Sequence, residues 1–289
     1  MSQTDSAQPL SPSHAMSRDQ ALGMFVGLFI GDAMGAPLEF TKPNQGPAVR
    51  SMIGGGSHKV APGEWTDDGA MAMCIADAYL SAGMFDASAT QKNFMDWSQT
   101  GKFGTRDYCF DVGMTITGAL NRVKNLRHPY AGSTDPATSG NGCIMRMAPC
   151  IVWNRDNLSA AIGESVAQAV LTHGSTDSIR HTAALAHELW VGTALAEYDA
   201  MRDRKVSNSG YVADTYASAW HSVLKTSNFE DAVVDAINRG GDADTVGAVT
   251  GMIAGRIYGY AELKPIANLL VQHKKLVDTG TRLWDRAGL

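Results

Sequence analysis

Glycine recurs at every fourth position in two segments that lie far apart in the chain. In "SRDQALGMFVGLFIGDAMG" these are Gly23, Gly27, Gly31 and Gly35, and in "GGDADTVGAVTGMIAGRIYG" they are Gly247, Gly251, Gly255 and Gly259. Four residues is close to one helical turn, so each set shares one face of a helix and leaves that face bare. Glycine inside a helix costs roughly 0.5–1 kcal/mol against alanine, so eight such positions call for a compensating gain. In a bilayer a stripe of this kind reads as a helix-dimer face. In a soluble core it lets a second backbone approach closely. The two helices are therefore expected to lie centrally and beside one another. Ser17 and Gln20 stand in capping-box relation at the start of the first.

Apolar residues at three- and four-residue intervals mark further helices in "AMAMCIADAYLSAG", "LSAAIGESVAQAVLTH" and "SIRHTAALAHELWVGTALAEYDAMRD". The same holds for "DTYASAWHSVLKT", "FEDAVVDAINRG" and "ELKPIANLLVQHKKLVDTGTRLWDRAG". Period-two runs are hard to find, so the fold class expected is all-α, one domain over residues 17–289. Residues 1–16 are polar and rich in Ser, Pro and Gln, which reads as a flexible N-terminal tail rather than a secretory signal. The Gly/Ser/Pro-rich stretches at 42–63 and 127–142 read as functional loops.

Several function classes are excluded at this stage. The formal charge of −5, with no block of Lys and Arg, argues against a nucleic-acid partner. The longest apolar run, residues 21–30, is about half the ~20 residues of a bilayer span, so no membrane span is expected. Four cysteines without a CxxC pair point to reduced thiols and a cytoplasmic location.

Chemistry is concentrated in two acidic corners. Thr66, Asp67 and Asp68 precede one helix, and Asp242, Asp244 and Thr245 precede the second glycine-striped one. Helix capping would explain a single Asp or Thr at each start. Each start instead offers three oxygen-bearing side chains, with Gly69, Gly240 and Gly241 alongside. Four carboxylates and two hydroxyls form a hard, all-oxygen set suited to Mg²⁺ or Mn²⁺, with charge enough for two ions. Two such ions could share and activate a water.

Five ordered segments, "GLFIGDAMGAPLEF", "GEWTDDGAM", "GNGCIMR", "LTHGS" and "NRGGDADTVGAVTGMIAG", resemble those of the ADP-ribosylglycohydrolase family and span roughly residues 20 to 260. The resemblance implies an orthogonal all-α helical bundle with a central dinuclear Mg²⁺ or Mn²⁺ site. By motif, the metal ligands would be Thr66, Asp67, Asp68, Asp242, Asp244 and Thr245, with Asp67 and Asp244 essential to catalysis. Glu39 would gate the site or exchange a proton, and Asp111 would serve substrate opening or proton transfer. Gly140, Asn141 and Gly142 would cradle the diphosphate, with His173 near the nucleotide. Arg146 is expected in a salt bridge to a core carboxylate, and Asp32 as support for the ligand set. Met114 stands where the bacterial type carries asparagine, a departure bearing on acceptor preference.

The activity implied is removal of ADP-ribose from a modified protein side chain, arginine first, by a monomeric enzyme. A magnesium-dependent nucleotide phosphohydrolase is one rival. A second is an immunity or regulatory protein that binds a cognate ADP-ribosyltransferase or an ADP-ribosylated partner, with the tail as a reach.

Overall fold

The computed structural model describes residues 16–43, 46–126, 128–193 and 205–287. Among them are twelve α-helices and no strand, with only isolated bridges such as Gly55–Val60. The tail expected over residues 1–16 lies outside the described residues except for Met16, which is buried in the core.

Helix α1 (Arg18–Gly35) and helix α10 (Ala243–Tyr258) form the axis of the molecule, packed antiparallel. Gly23 faces Gly255, Gly27 faces Gly251 and Gly31 faces Gly247, each so close that a Cβ on either side would collide with the opposing carbonyl oxygen. Gly35 meets the backbone of Ala243 and Asp244. The stripe is thus a backbone-to-backbone zipper, and close dispersion contact along it offsets the helix cost of glycine. Gly259 is the exception. It closes α10 at φ +80° with its backbone beside Gly23 but no glycine of its own opposite, and a side chain there would strike Asp19. The capping box at the start of α1 is complete: Gln20 N–H donates to Ser17 Oγ, and Ser17 N–H to Gln20 Oε1.

Residues Arg18–Leu38 are long and apolar enough to cross a membrane by length and composition, but 89% of that window is buried inside the protein. The other helices account for that burial. Helices α8 (Val212–Lys225) and α9 (Phe229–Ile237) pack on α10, and α11 (Tyr260–Ala267) and α12 (His273–Arg286) on α1. Helices α2 (Asp67–Ala82) and α5 (Ala148–Trp153) also reach α1. Helix α3 (Ala87–Thr100) packs on α2, and α6 (Leu158–Ala169) on α7 (Thr176–Val191). Helix α4 (Met114–Val123) follows the loop that carries Asp111.

Two expected helices are shorter than their apolar pattern. The segment from residue 262 onward is broken between Ala267 and His273, with Gln272 left-handed at φ +61°. The break is tertiary in origin: Val271 N–H donates to Gly63 O, and Val271 O accepts from the Trp65 indole at 3.2 Å. The segment from residue 178 stops being helical after Val191, where Gly192 takes φ +82°. A Cβ there would fall 2.8 Å from the Arg256 guanidinium carbon; residues 194–204 lie outside the described residues.

Candidate active site

The antiparallel axis decides where the acidic corners meet. The C-terminal end of α1 lies beside the N-terminal end of α10, so Asp32 and Glu39 arrive where Asp242, Asp244 and Thr245 begin. Asp32 then reaches to α2. Its carboxylate accepts from Thr66 N–H at 2.8 Å and from Gly69 N–H at 3.0 Å. A helix start needs acceptors for its first N–H groups, and here a neighbouring helix supplies them. Thr66, the N-cap residue, makes no side-chain cap. Its hydroxyl donates to Asp68 Oδ2 at 3.3 Å, and Thr245 Oγ1 donates to the same oxygen at 3.5 Å. Those two contacts join the corners through Asp68.

At α10 the turn before the helix needs two consecutive left-handed residues, Gly240 at φ +64° and Gly241 at φ +65°. Phe40 and Thr41 pair with Gly241 through backbone hydrogen bonds, and Asp242 N–H donates to Asn208 O. The Asp242 carboxylate does not cap its own helix. It accepts instead from Asn141 Nδ2 at 2.8 Å.

Glu39, Asp67, Asp111, Asp242, Asp244 and Thr245 line one cavity of about 600 Å³, with Thr66 and Asp68 buried behind them. Carboxylate oxygens of Glu39, Asp242 and Asp244 lie within 4.8 Å of one another. Burial is the main cause that raises Asp67, Asp68 and Asp244 well above the usual carboxylate range, and mutual repulsion adds to it. Burial also lifts Asp32 to about 7 and Glu39 to about 8, the latter helped by Asp111. Asp68 Oδ1 and Asp111 Oδ2 are buried without a hydrogen-bond partner among the described residues. Unpaired hard oxygens facing like charges are what a divalent cation would satisfy, so the donor set fits a metal centre.

His58 is a site residue that the sequence does not disclose. Its Nε2 lies 3.1 Å from Glu39 Oε2 and 3.1 Å from Asp111 Oδ1, without hydrogen-bond geometry to either, so that protonation of the ring would pair it with both carboxylates. The three form a second group able to hold a metal ion. Asp111 itself sits at φ +55°, a region that costs a non-glycine residue energy. Burial raises its carboxyl, while the neighbouring His58 pulls it back. A histidine inside a Gly-rich loop gives no signal by spacing, because its partners come from elsewhere in the chain.

The opposite wall carries Gly140, Asn141, Gly142 and His173. Gly140 N–H donates to Thr138 O and Asn141 N–H to Gly210 O, so both are engaged within the chain. The Asn141 side chain supports Asp242 and Thr215. Gly142 gives room, since a Cβ there would lie 2.8 Å from His173 Cε1. His173 is held by Thr172 Oγ1 at 2.8 Å, and burial, with help from Arg146, pushes it down to about 3, so it is neutral. Arg146 differs from expectation. Fully buried, it makes no salt bridge among the described residues and donates to Gln168 Oε1, Gln168 O and Thr172 Oγ1 while lying 4.5 Å from the Phe94 ring centroid. Neutral acceptors and an aromatic face replace the carboxylate, and burial lowers its pKa to about 10.

The family profile described as ADP-ribosylglycohydrolase matches residues 13–288. A protein named ADP-ribosylarginine hydrolase Tri1 from Serratia proteamaculans is 35% identical, over 93% of this chain and 80% of its own length. An ADP-ribosyl-[dinitrogen reductase] glycohydrolase from Rhodospirillum rubrum is 29% identical, over 85% and 87%. A solved structure described as an ADP-ribosylglycohydrolase-related protein complex superposes with a TM-score of 0.81 at 30% identity, covering 93% of this chain and 98% of that one.

Proposed function

The chain belongs to the ADP-ribosylglycohydrolase family and is an enzyme of that class; from this premise we propose that it hydrolyses the bond between C1″ of ADP-ribose and an arginine side chain of a modified protein. The observation that carries the reading is the meeting, in one cavity, of two acidic helix starts whose own N-cap side chains do not cap them. The name of the Serratia proteamaculans relative, at 35% identity, supplies arginine as the acceptor.

In this reading Thr66, Asp67, Asp68, Asp242, Asp244 and Thr245 hold two Mg²⁺ or Mn²⁺ ions. When bound, the ions would compensate the carboxylate charge and act as Lewis acids toward water and the ribose hydroxyls. Asp32 positions the first ligand group by anchoring the start of α2, and Asn141 positions Asp242. Positive charge develops at C1″ as the glycosidic bond breaks, and the acidic cavity stabilises it. Glu39, on the cavity wall beside Asp242 and Asp244, is placed to exchange a proton with water or the leaving group. His58, when protonated, holds Glu39 and Asp111 in register. His173, neutral and packed on Gly140 and Gly142, offers a wall to the nucleotide without adding charge.

The test is incubation with arginine- and serine-ADP-ribosylated peptides in Mg²⁺, Mn²⁺ or EDTA, reading free ADP-ribose and free phosphate. Release of intact ADP-ribose from the arginine peptide, lost in EDTA, is expected. Phosphate release in its place would shift the reading to a nucleotide phosphohydrolase.

A further inference from the structure

Three apolar side chains stand in water at the mouth of the acidic cavity: Phe40, Val112 and Met114, exposed by 71%, 37% and 92%. Phe40 is held there against two local preferences. Its φ of +63° is unfavourable for a bulky residue, and its ring is turned outward. The backbone bond from Phe40 N–H to Gly241 O, 2.7 Å, fixes that conformation on the turn that carries Asp242. Met114, the first residue of α4, is almost wholly exposed where a polar residue would cost the fold nothing.

The placement of these side chains is selective. Phe40 follows Glu39 and Val112 follows Asp111, the two carboxylates that lie 3.1 Å from His58 Nε2. Phe40 and Val112 thus border the carboxylate end of the cavity, and Met114 begins the α4 turn whose Thr115 and Ile116 lie toward Gly140 and Gly142. Glu39 and Asp111, which lie outside the proposed ligand set, suit a cationic guanidinium group entering at that end. Whatever flanks that group on its own polypeptide must then lie against the rim.

We propose that Phe40, Val112 and Met114 dock the stretch of acceptor polypeptide beside the modified arginine, so that the enzyme selects extended segments with apolar neighbours to that arginine. This rests on the reading above that ADP-ribosyl-arginine is the substrate. Three probes separate the contributions: free ADP-ribosyl-arginine, a peptide with leucines on both sides of the modified arginine, and one with serines there. Wild-type enzyme is expected to show kcat/KM about tenfold higher for the leucine peptide than for the serine peptide. Phe40→Asn, which suits a left-handed backbone, and Met114→Gln, which suits a helix, should each cut that preference to about twofold. Turnover of free ADP-ribosyl-arginine should stay within about twofold of wild type in both. Equal turnover of the two peptides by wild type, or a uniform loss on all three probes in the variants, overturns the proposal. If wild type hydrolyses none of the probes in Mg²⁺ or Mn²⁺, the arginine reading fails separately. Peptide affinity then decides the rim: tighter binding of the leucine peptide that Phe40→Asn abolishes supports it, and equal affinities overturn it.

Discussion

Seven of the described α-helices begin with Ser, Thr, Asp or Asn at the N-cap, and they fall into two groups. At α1, α3, α6, α7 and α9 the cap side chain accepts from its own helix: Ser17, Asp86, Asn157, Ser175 and Asn228 do so. At α2 and α10 the cap residues Thr66 and Asp242 do not. A helix start that caps itself has spent its oxygens locally. One whose first N–H groups are served from another helix, as Asp32 serves α2, leaves its own oxygens free for something else. At α10 Asp244 Oδ1 accepts from Thr245 N–H at 2.8 Å, so one oxygen there is used locally, while the Asp242 carboxylate is left out of its own helix.

The largest expected effect separates those groups in activity. Asp67→Ala or Asp244→Ala should lower ADP-ribose release by about a thousandfold or more, some 4 kcal/mol in the barrier, measured at saturating Mn²⁺. Near-normal rates in either variant would make α2 and α10 ordinary starts. Next comes the axis that brings the groups together. Gly31→Ala forces a Cβ into the Gly247 carbonyl and should leave little folded protein by circular dichroism, whereas Gly163→Ala on α6, with open space around it, should stabilise by about 0.5–1 kcal/mol. A well-folded Gly31→Ala protein would contradict the zipper.

The third effect concerns pH. Asp32 at about 7 and Glu39 at about 8 lie above their unfolded values near 4, so the folded state keeps protons that the unfolded state releases. Their contribution to stability is whole below about pH 4 and is lost as pH rises through 7 and 8. His173, held at about 3, works the other way, but its contribution is complete above about 6.5 and does not change in that window. In EDTA the Tm should therefore fall between about pH 6.5 and 8.5, and saturating Mn²⁺ should reduce the fall. A flat Tm in EDTA would mean the cluster carries no such strain. The smallest effect is at the self-capped starts: Asp86→Ala should cost about 1 kcal/mol in urea denaturation and leave turnover intact.

Much of this was legible in one dimension because the signals are local or periodic. The glycine stripes, the capping box at Ser17 and the acidic triplets need only neighbours a few positions away. What escaped has its partners far along the chain. His58 owes its place to Glu39 and Asp111, and Asn141 serves Asp242, 101 positions later, rather than presenting its own N–H. Asn208 was silent for the same reason; it holds the Gly240–Gly241 turn through Ala236 O and Gly240 O. The break before His273 contradicts a good apolar period because Gly63 and Trp65 bind that backbone. Arg146 misled because burial of a cation usually implies an anion, and here amide, hydroxyl and aromatic groups suffice.

The order of residues alone determined which faces of α1 and α10 are bare and which helix starts carry excess oxygen, since both follow from spacing within a few turns. Only the folded molecule decided that the helices run antiparallel with Gly31 on Gly247, and hence that Asp32 reaches α2 while Glu39 reaches α10. Direction of packing is a property of the whole core. Reversing it would keep every local pattern and separate the carboxylates.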